Sequence, residues 1–208
     1  LNIAAQDGTN IINSPNAIKI FNEKIFAMEF SDFMPPTIIS ADSKRIEEFL
    51  KIHEEIVIKP LNGMGGDNIY KVSLDDSESL KKIIDLTEDS KIQIIGQKFL
   101  SKINEGDFRI LVIDGEPFDY CLARIPKDGS FLGNLAKGGK GVAKKITSKQ
   151  KEIGDKIGAR LKSENILFAG IDIIDDKLTE INITSPTCAV EIFNQTGENP
   201  ITKIFDSL

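Results

Sequence analysis

The pattern of apolar and polar positions in the first half of the chain predicts short helices alternating with short strands. Apolar side chains recur at intervals of three and four from Ile18 to Met28, which indicates a helix that ends before Pro35. Later segments repeat that period or form short apolar runs typical of buried strands. They predict, in order, a strand at 37–40, a helix at 43–52, strands at 56–60 and 68–72, a helix at 76–87 and a strand at 92–97.

The second half is dominated by two predicted β-hairpins. Asp114-Gly115 separates two apolar runs, at 108–113 and 116–123, and an Asp-Gly pair suits a type I′ turn. A second hairpin turns near Asp175-Asp176, and a helix is predicted at 148–163. Strands joined by such turns are adjacent and antiparallel, so this half also predicts an α+β unit.

The order of these elements predicts two lobes after a short leading segment. Residues 1–14 are expected to be a tail or linker, 15–100 a small lobe with a leading helix, and 101–208 a larger lobe. Within the larger lobe, 126–141 contains five glycines and shows neither a helical nor a strand period. Segments of that length in a compact domain are functional lids or disordered, and we expect a lid.

The composition of the chain argues against several classes of partner. The chain has 208 residues, is 40% apolar and carries a formal charge of -6, which argues against nucleic-acid and membrane partners. No apolar run approaches the roughly 20 residues that span a bilayer. Cys121 and Cys188 are too few for a disulfide framework and favour a reducing cytoplasm.

The most informative pattern is the second hairpin, because it gathers two carboxylates and an amide. Pairing about the turn places Asp172 opposite or nearly opposite Glu180, and the alternation of side chains places Asn182 on the face of Glu180. Like charges about 5 Å apart destabilise a sheet unless they are compensated. Mg²⁺ is the simplest compensation, since it binds one or two carboxylates together with phosphate oxygens. A solvated pair of carboxylates on an edge hairpin is the alternative.

A lysine and a glycine-rich turn in the first lobe suggest an anion site. Lys59 ends a predicted strand, and Gly63-Met64-Gly65-Gly66 follows it. Glycines let the backbone approach a ligand, and successive N–H groups can bind an anion, although a plain tight turn would have the same composition. The lysine precedes the glycines, so this is not a Walker A loop. Lys24, by itself, reads as a solvated lysine on a helix.

Together, the lysine and glycine turn, the carboxylate hairpin and the lid describe an ATP–Mg²⁺ site in a cleft. Several strings extend this pattern from about residue 15 to the end of the chain. They are Asn22-Glu-Lys24, Lys59-Pro-Leu-Asn-Gly-Met-Gly-Gly66, Asp114-Gly-Glu-Pro117, Cys121-Leu-Ala-Arg-Ile-Pro126, Gly133-Asn-Leu-Ala136, Gly138-Gly139, Gly170-Ile-Asp-Ile-Ile174, Leu178-Thr-Glu-Ile-Asn182 and Thr184-Ser-Pro-Thr-Cys188. On these strings the chain resembles the bacterial glutathione synthetase family of the ATP-grasp superfamily, which implies an α+β fold of two antiparallel-sheet lobes around an ATP–Mg cleft.

The resemblance implies an activity and a set of residues for it. The activity would be the ATP-dependent ligation of γ-glutamylcysteine and glycine to glutathione through an acyl phosphate, with Mg²⁺ or Mn²⁺, in a protein that can form a homo-oligomer. Residues implied for ATP are Lys24, Lys59, Gly63, Gly65 and Gly66 at the phosphates, Gln97, Phe99 and Leu100 at the adenine, and Asp107 at the ribose. Residues implied for the reaction are Asp172, Glu180 and Asn182 at the metal, Arg109 and Arg124 at the reacting groups, and Asn134, Ser185 and Thr187 at the substrates.

The chain departs from the family pattern in two ways. The family commonly has an arginine before the Gly-Asn of the lid, where this chain has Leu132, and a second basic position is Lys140. The family also carries a domain before the ATP-grasp unit, and this chain begins just short of that unit. Two alternatives therefore stay open: an ATP-grasp ligase with another acid and amine, and a nucleotide-binding module without turnover.

Overall fold

Nine strands form two antiparallel sheets in the computed structural model, which describes residues 1–63 and 66–207. The four-stranded sheet, in the order β1-β4-β2-β3, consists of β1 (Thr37–Ser40), β2 (Glu55–Pro60), β3 (Tyr70–Ser73) and β4 (Ile94–Lys98). The five-stranded sheet, in the order β7-β6-β5-β8-β9, consists of β5 (Asp107–Ile113), β6 (Glu116–Ile125), β7 (Lys140–Lys145), β8 (Phe168–Ile174) and β9 (Lys177–Asn182).

Seven α-helices accompany the sheets in the described part of the chain. They are α1 (Asn2–Gln6), α2 (Pro15–Ile20), α3 (Ser43–His53), α4 (Ser79–Leu86), α5 (Ser148–Ser163), α6 (Ala189–Thr196) and α7 (Pro200–Asp206). Helices α3 and α4 bury Ile46, Leu50 and Ile83 against the four-stranded sheet. Helix α5 buries one apolar stripe against the five-stranded sheet and begins at Thr147, which forms a capping box with Gln150.

Both predicted hairpins are confirmed. Asp114 and Gly115 have φ angles of 48° and 84°, and Asp175 and Asp176 have φ angles of 51° and 55°. Two consecutive positive φ angles define the type I′ turn, whose twist matches that of the strands it joins. The first turn joins β5 to β6 and the second joins β8 to β9, so four of the five strands of the larger sheet come from these hairpins.

The segment before the first strand differs from the single helix that its periodicity predicts. Helix α2 ends at Ile20, and a 3₁₀ segment, Phe26–Phe33, follows a turn. The side chain of Asn22 accepts the N–H groups of Lys24 and Ile25, and such local bonds compete with the helical backbone. We expected this segment to lead into the small lobe, but its buried side chains lie in the core of the five-stranded sheet.

Residues 1–14 are tied to the larger sheet at their end. The buried amide of Asn13 donates to the carbonyls of Phe168 and Ile183 at 2.6 and 2.7 Å, and its oxygen accepts the Phe168 N–H at 2.9 Å. These three bonds connect the start of β8 with the chain that leaves β9. The expected tail therefore contains a helix, α1, and a residue, Asn13, whose side chain fixes its end to the larger sheet.

Candidate active site

A cavity of about 570 Å³ lies between the two sheets. Every predicted site residue that the structure describes contributes to its wall. These residues are Lys24, Lys59, Gly63, Gly66, Gln97, Phe99, Leu100, Asp107, Arg109, Arg124, Asn134, Asp172, Glu180, Asn182, Ser185 and Thr187. Gly65 was also predicted and lies outside the described residues. Residues from distant parts of the chain therefore meet in one place, because both sheets and the loops between them face this cavity.

The carboxylates of the second hairpin are paired, and a β-bulge between Asp172 and Ile173 sets their register. Asp172 is opposite Glu180, and Gly170 is opposite Asn182. The charge of Asp172 is compensated by arginines from neighbouring strands. The Arg109 guanidinium donates to both of its oxygens, and Arg124 Nη2 lies 2.9 Å from Oδ1. Cationic side chains thus supply compensation for which the sequence analysis offered a metal ion as the simplest source and solvation as the alternative.

The arginines also decide the ionisation of Asp172. Burial alone would raise the pKa of this carboxyl, but the two guanidinium groups outweigh burial and hold its pKa at about 2. Gly170 makes this arrangement possible, because a Cβ atom there would lie 2.7 Å from Cδ of Arg109. The glycine of the Gly-Ile-Asp string therefore provides the space in which Arg109 reaches its partner.

Glu180 is held by the first lobe. Lys59 Nζ lies 3.0 Å from Glu180 Oε1, and the lysine is buried. Burial would raise the pKa of Glu180, but Lys59 outweighs it and the pKa is lowered. This ion pair joins β2 of one sheet to β9 of the other across the cavity.

The side-chain oxygens of the second hairpin suit the coordination of a hard divalent cation. Both oxygens of Asp172 already accept hydrogen bonds, whereas Glu180 Oε2 and Asn182 Oδ1 accept none from the described part of the chain. Nor do the described residues contain a cluster of three or more acidic, histidine or cysteine side chains able to hold a metal. A cation at this place would need oxygens from a bound phosphate to complete its coordination.

Asp107 carries a buried oxygen without a partner. Its Oδ2 accepts from Arg124 at 2.6 Å, while Oδ1 is the one buried side-chain oxygen or nitrogen among residues 1–63 and 66–207 that lacks a hydrogen bond. Burial raises the pKa of this carboxyl to about 6, although Arg124 opposes the change. An oxygen left in this state on a cavity wall is suited to accept a hydrogen bond from a ligand hydroxyl.

Lys24 is not the surface lysine that its local sequence indicates. Only 4% of the residue is exposed, and Nζ lies 2.6 Å from Glu23 Oε1 and 3.4 Å from the carbonyls of Leu61 and Gly63. It lies in the turn after α2 rather than on a helix. The Asx turn of Asn22 was the available sequence signal, since it ends the helix and directs the chain toward the glycine loop.

The lid contacts the first lobe at three points that sequence reasoning did not find. Lys137 pairs with Asp67, Asn134 lies against Gly66, and the ring of Phe131 meets that of Phe99 edge-on with centroids 6.5 Å apart. Part of the predicted lid has regular structure: a 3₁₀ turn at Leu135–Lys137, and β7 from Lys140. The lid glycines permit close folding, since a Cβ at Gly139 would lie 2.4 Å from the Gly133 carbonyl oxygen.

The two antiparallel sheets, with lysines, a glycine loop and carboxylates around the cavity between them, define an ATP-grasp domain. The ATP-grasp ligase PsnB, solved with a minimal precursor, Mg and ADP, has the same fold, with a TM-score of 0.69 over 98% of this chain and 62% of that chain at 19% identity. More narrowly, the family "Prokaryotic glutathione synthetase, ATP-grasp domain" matches residues 23–197, and the chain belongs to this family.

Sequence relatives agree with this assignment. The chain is 43% identical to a glutathione synthetase of Nitrosomonas europaea over all of its residues, which span 65% of that protein. It is 46% identical over 91% of its length to a glutathione synthetase of Shewanella oneidensis, of which the match spans 60%. The chain thus corresponds to about two thirds or less of each relative. No helix in its described part is long and apolar enough to cross a membrane.

Proposed function

We propose that the protein ligates γ-glutamylcysteine to glycine, with ATP as the source of energy, and forms glutathione, ADP and phosphate. The observation that carries this proposal is the convergence, in a member of this family, of all described candidate residues on one cavity. The relatives that bear the name glutathione synthetase support the choice of substrates.

ATP would lie between the sheets with its phosphates toward the hairpin. Lys24 and Lys59 are buried cations beside the glycine loop, and their ammonium groups would neutralise phosphate oxygens. Phe99 and Leu100 offer apolar surface to a base, next to the amide of Gln97. The free oxygen of Asp107 would accept a hydrogen bond from a ribose hydroxyl.

Glu180 and Asn182 would hold Mg²⁺ or Mn²⁺, with Asp172 as a ligand if a guanidinium releases one of its oxygens. When bound, the cation would neutralise charge on the phosphate oxygens. We expect Mg²⁺ to bind weakly without nucleotide, since the protein offers few free oxygens. Calorimetry with and without ATP tests this. Tight binding to the bare protein, or unchanged ATP-dependent binding in Glu180→Gln with Asn182→Ala, would contradict it.

The reaction needs positioned charge rather than a nucleophilic side chain. The γ-phosphoryl group would pass to the dipeptide carboxylate, and the amine of glycine would then attack the acyl carbon as phosphate leaves. Arg109 and Arg124 carry fixed positive charge on the cavity wall and would orient the anionic groups. The lid, 126–141, would cover the site and exclude water that would hydrolyse the acyl phosphate.

Release of ADP with each substrate omitted in turn tests the proposal. We expect ADP in proportion to tripeptide only when γ-glutamylcysteine and glycine are both present. With glycine absent, hydroxylamine should trap the activated dipeptide as a hydroxamate. Efficient ligation of another acid and amine would keep the ATP-grasp chemistry and reject the named substrates.

A nucleotide-binding module without turnover is the second candidate, because the chain spans only about 60 to 65% of its relatives. ATP binding by these 208 residues without ADP release would favour this candidate for the chain itself. The division into lobes at residue 100, a homo-oligomer and a cytoplasmic setting stay predictions.

A further inference from the structure

One carboxylate on the cavity wall differs from all the others. Six acidic side chains line the cavity, and five of them are ion-paired. The pairs are Glu23 with Lys24, Asp67 with Lys137, Asp107 with Arg124, Asp172 with Arg109, and Glu180 with Lys59. Glu191 is the sixth, and it forms no ion pair or hydrogen bond with the part of the chain that the structure describes.

Glu191 lies at the substrate end of the cavity. It stands in the first turn of α6, directly after the segment 184–188, whose residues also line the cavity. The side chain is half-buried, so its charge is only partly solvated. A carboxylate in a first helical turn is favoured by the helix dipole, but that contribution does not require it to line a cavity.

We propose that Glu191 binds the ammonium group of the amine substrate. This inference rests on the proposed function, in which the acceptor is an amino acid with a cationic amine at neutral pH. The other wall residues suit anions, since Lys24, Lys59, Arg109 and Arg124 face the places where phosphates and carboxylates would lie. A half-buried carboxylate without a cation complements an ammonium group and would select amino acids over uncharged amines.

Two acceptor substrates distinguish the binding of the ammonium group by Glu191 from the activation of the dipeptide carboxylate. Glycine carries an ammonium group, whereas hydroxylamine is uncharged at neutral pH and needs no anionic partner. The protein at its natural length is assayed with ATP, Mg²⁺ and γ-glutamylcysteine, with either acceptor. In Glu191→Gln we expect KM for glycine to rise roughly 10- to 100-fold, the loss expected for a charged hydrogen bond, with hydroxamate formation unchanged.

Two further variants complete the experiment. Glu191→Asp keeps the charge and should recover part of the affinity for glycine. Glu198→Gln removes an exposed carboxylate in the turn after α6 and should leave both reactions unchanged. An unchanged KM for glycine in Glu191→Gln would overturn the inference, and so would an equal loss with both acceptors. Failure of the unaltered protein to form the hydroxamate would instead overturn the proposed function.

Discussion

The floor and the roof of the cavity differ in secondary structure and in the exposure of their ion pairs. The floor, defined as Asp107, Arg109, Arg124 and Asp172, stands on the central strands of the larger sheet, and its ion pairs are buried. The roof, defined as residues 61–63 and 66–67 of the first lobe and the part of the lid before β7, 126–139, consists of loops and one 3₁₀ turn. Its ion pair joins side chains of Lys137 and Asp67 that are 39% and 73% exposed.

This difference indicates that the floor and the roof have different roles. Buried charges on rigid strands keep their geometry because any rearrangement would leave a charge unpaired in a poorly solvated place. Exposed contacts between loops contribute little free energy each and can be broken at low cost. We therefore expect the floor to govern stability and the orientation of reacting groups, and the roof to govern access.

The largest effect should follow from removing a floor arginine. Arg124→Met leaves Asp107 without its partner and Asp172 with one guanidinium instead of two. We expect a loss of about 3–5 kcal/mol in the free energy of unfolding, measured by urea denaturation. Arg160→Met, which removes partly exposed pairs with Glu29 and Glu164, is the control and should cost about 1 kcal/mol or less. Equal losses in the two variants would remove the distinction between buried and exposed pairs.

Lys59 tests whether a buried cation that reaches across the cavity from the four-stranded sheet serves the ligand. Lys59→Met should weaken ATP binding by about 1.5–3 kcal/mol, because a charged hydrogen bond to phosphate is lost. It also leaves Glu180 unpaired, which lowers stability. The double variant Lys59→Met, Glu180→Gln separates the two effects, since it should recover stability but not lysine-dependent ATP affinity. Calorimetry that gives wild-type affinity for Lys59→Met would assign the lysine a structural role only.

The pH dependence of stability tests the ionisation of Asp107 in the floor. The pKa of Asp107 rises from 3.8 to about 6 on folding, so the protonated form is favoured in the folded protein. Its stabilising contribution is fully present below pH 3.8 and is lost as the pH rises through 6. From pH 5 to pH 7 this group alone should remove about 1 kcal/mol of stability, and Asp107→Asn should not show that loss.

Urea denaturation of the unaltered protein and of Asp107→Asn, each at pH 5 and pH 7, measures this change in the free energy of unfolding. The lowered pKa values of Asp172 and Glu180 act in the opposite direction, since their contribution is lost only as the pH falls below their ordinary values of 3.8 and 4.5. They therefore do not change across this window. An identical pH dependence in the two proteins would mean that Asp107 ionises normally.

The roof should show the smallest effects. Phe131→Ala removes the edge contact with Phe99, and we expect trypsin to cut at Lys137 or Lys140 roughly 2- to 10-fold faster, because an aromatic pair of this kind contributes little. ATP with γ-glutamylcysteine should slow the cut. Phe205→Ala, at a ring that is 70% exposed on α7, is the control. Cleavage that neither the substitution nor the ligands change would reject the lid.

Much of this site could be predicted because its residues carry local signals. Asp175-Asp176 marks a turn, and pairing about that turn brings Asp172 close to Glu180. A β-bulge between Asp172 and Ile173, which the pattern does not predict, sets the two carboxylates directly opposite each other. Lys59 and Gly63 belong to one short string whose composition indicates an anion site. Local patterns of this kind depend on neighbours in sequence, so they can be found without the fold.

Other residues carry a weak local signal or none. Lys24 resembles an exposed lysine, and only the packing of its turn against the glycine loop buries it. Glu191 is an ordinary acidic residue in a first helical turn until the fold places it on the cavity wall. The partner of Asp172 is likewise decided in space, because Arg109 is 63 residues away along the chain.

The amino-acid sequence by itself determined the hairpins, the α+β order of the elements and the family to which the chain belongs. Turn chemistry and side-chain periodicity depend on a few neighbouring residues, so they can be recognised in the sequence without knowledge of the fold. The tertiary structure decided which charges neutralise one another, which carboxylate of the cavity wall pairs with no other described residue, and how the lid meets the first lobe. These properties depend on distances between groups far apart in the chain and on the exclusion of water between them, which no local pattern encodes.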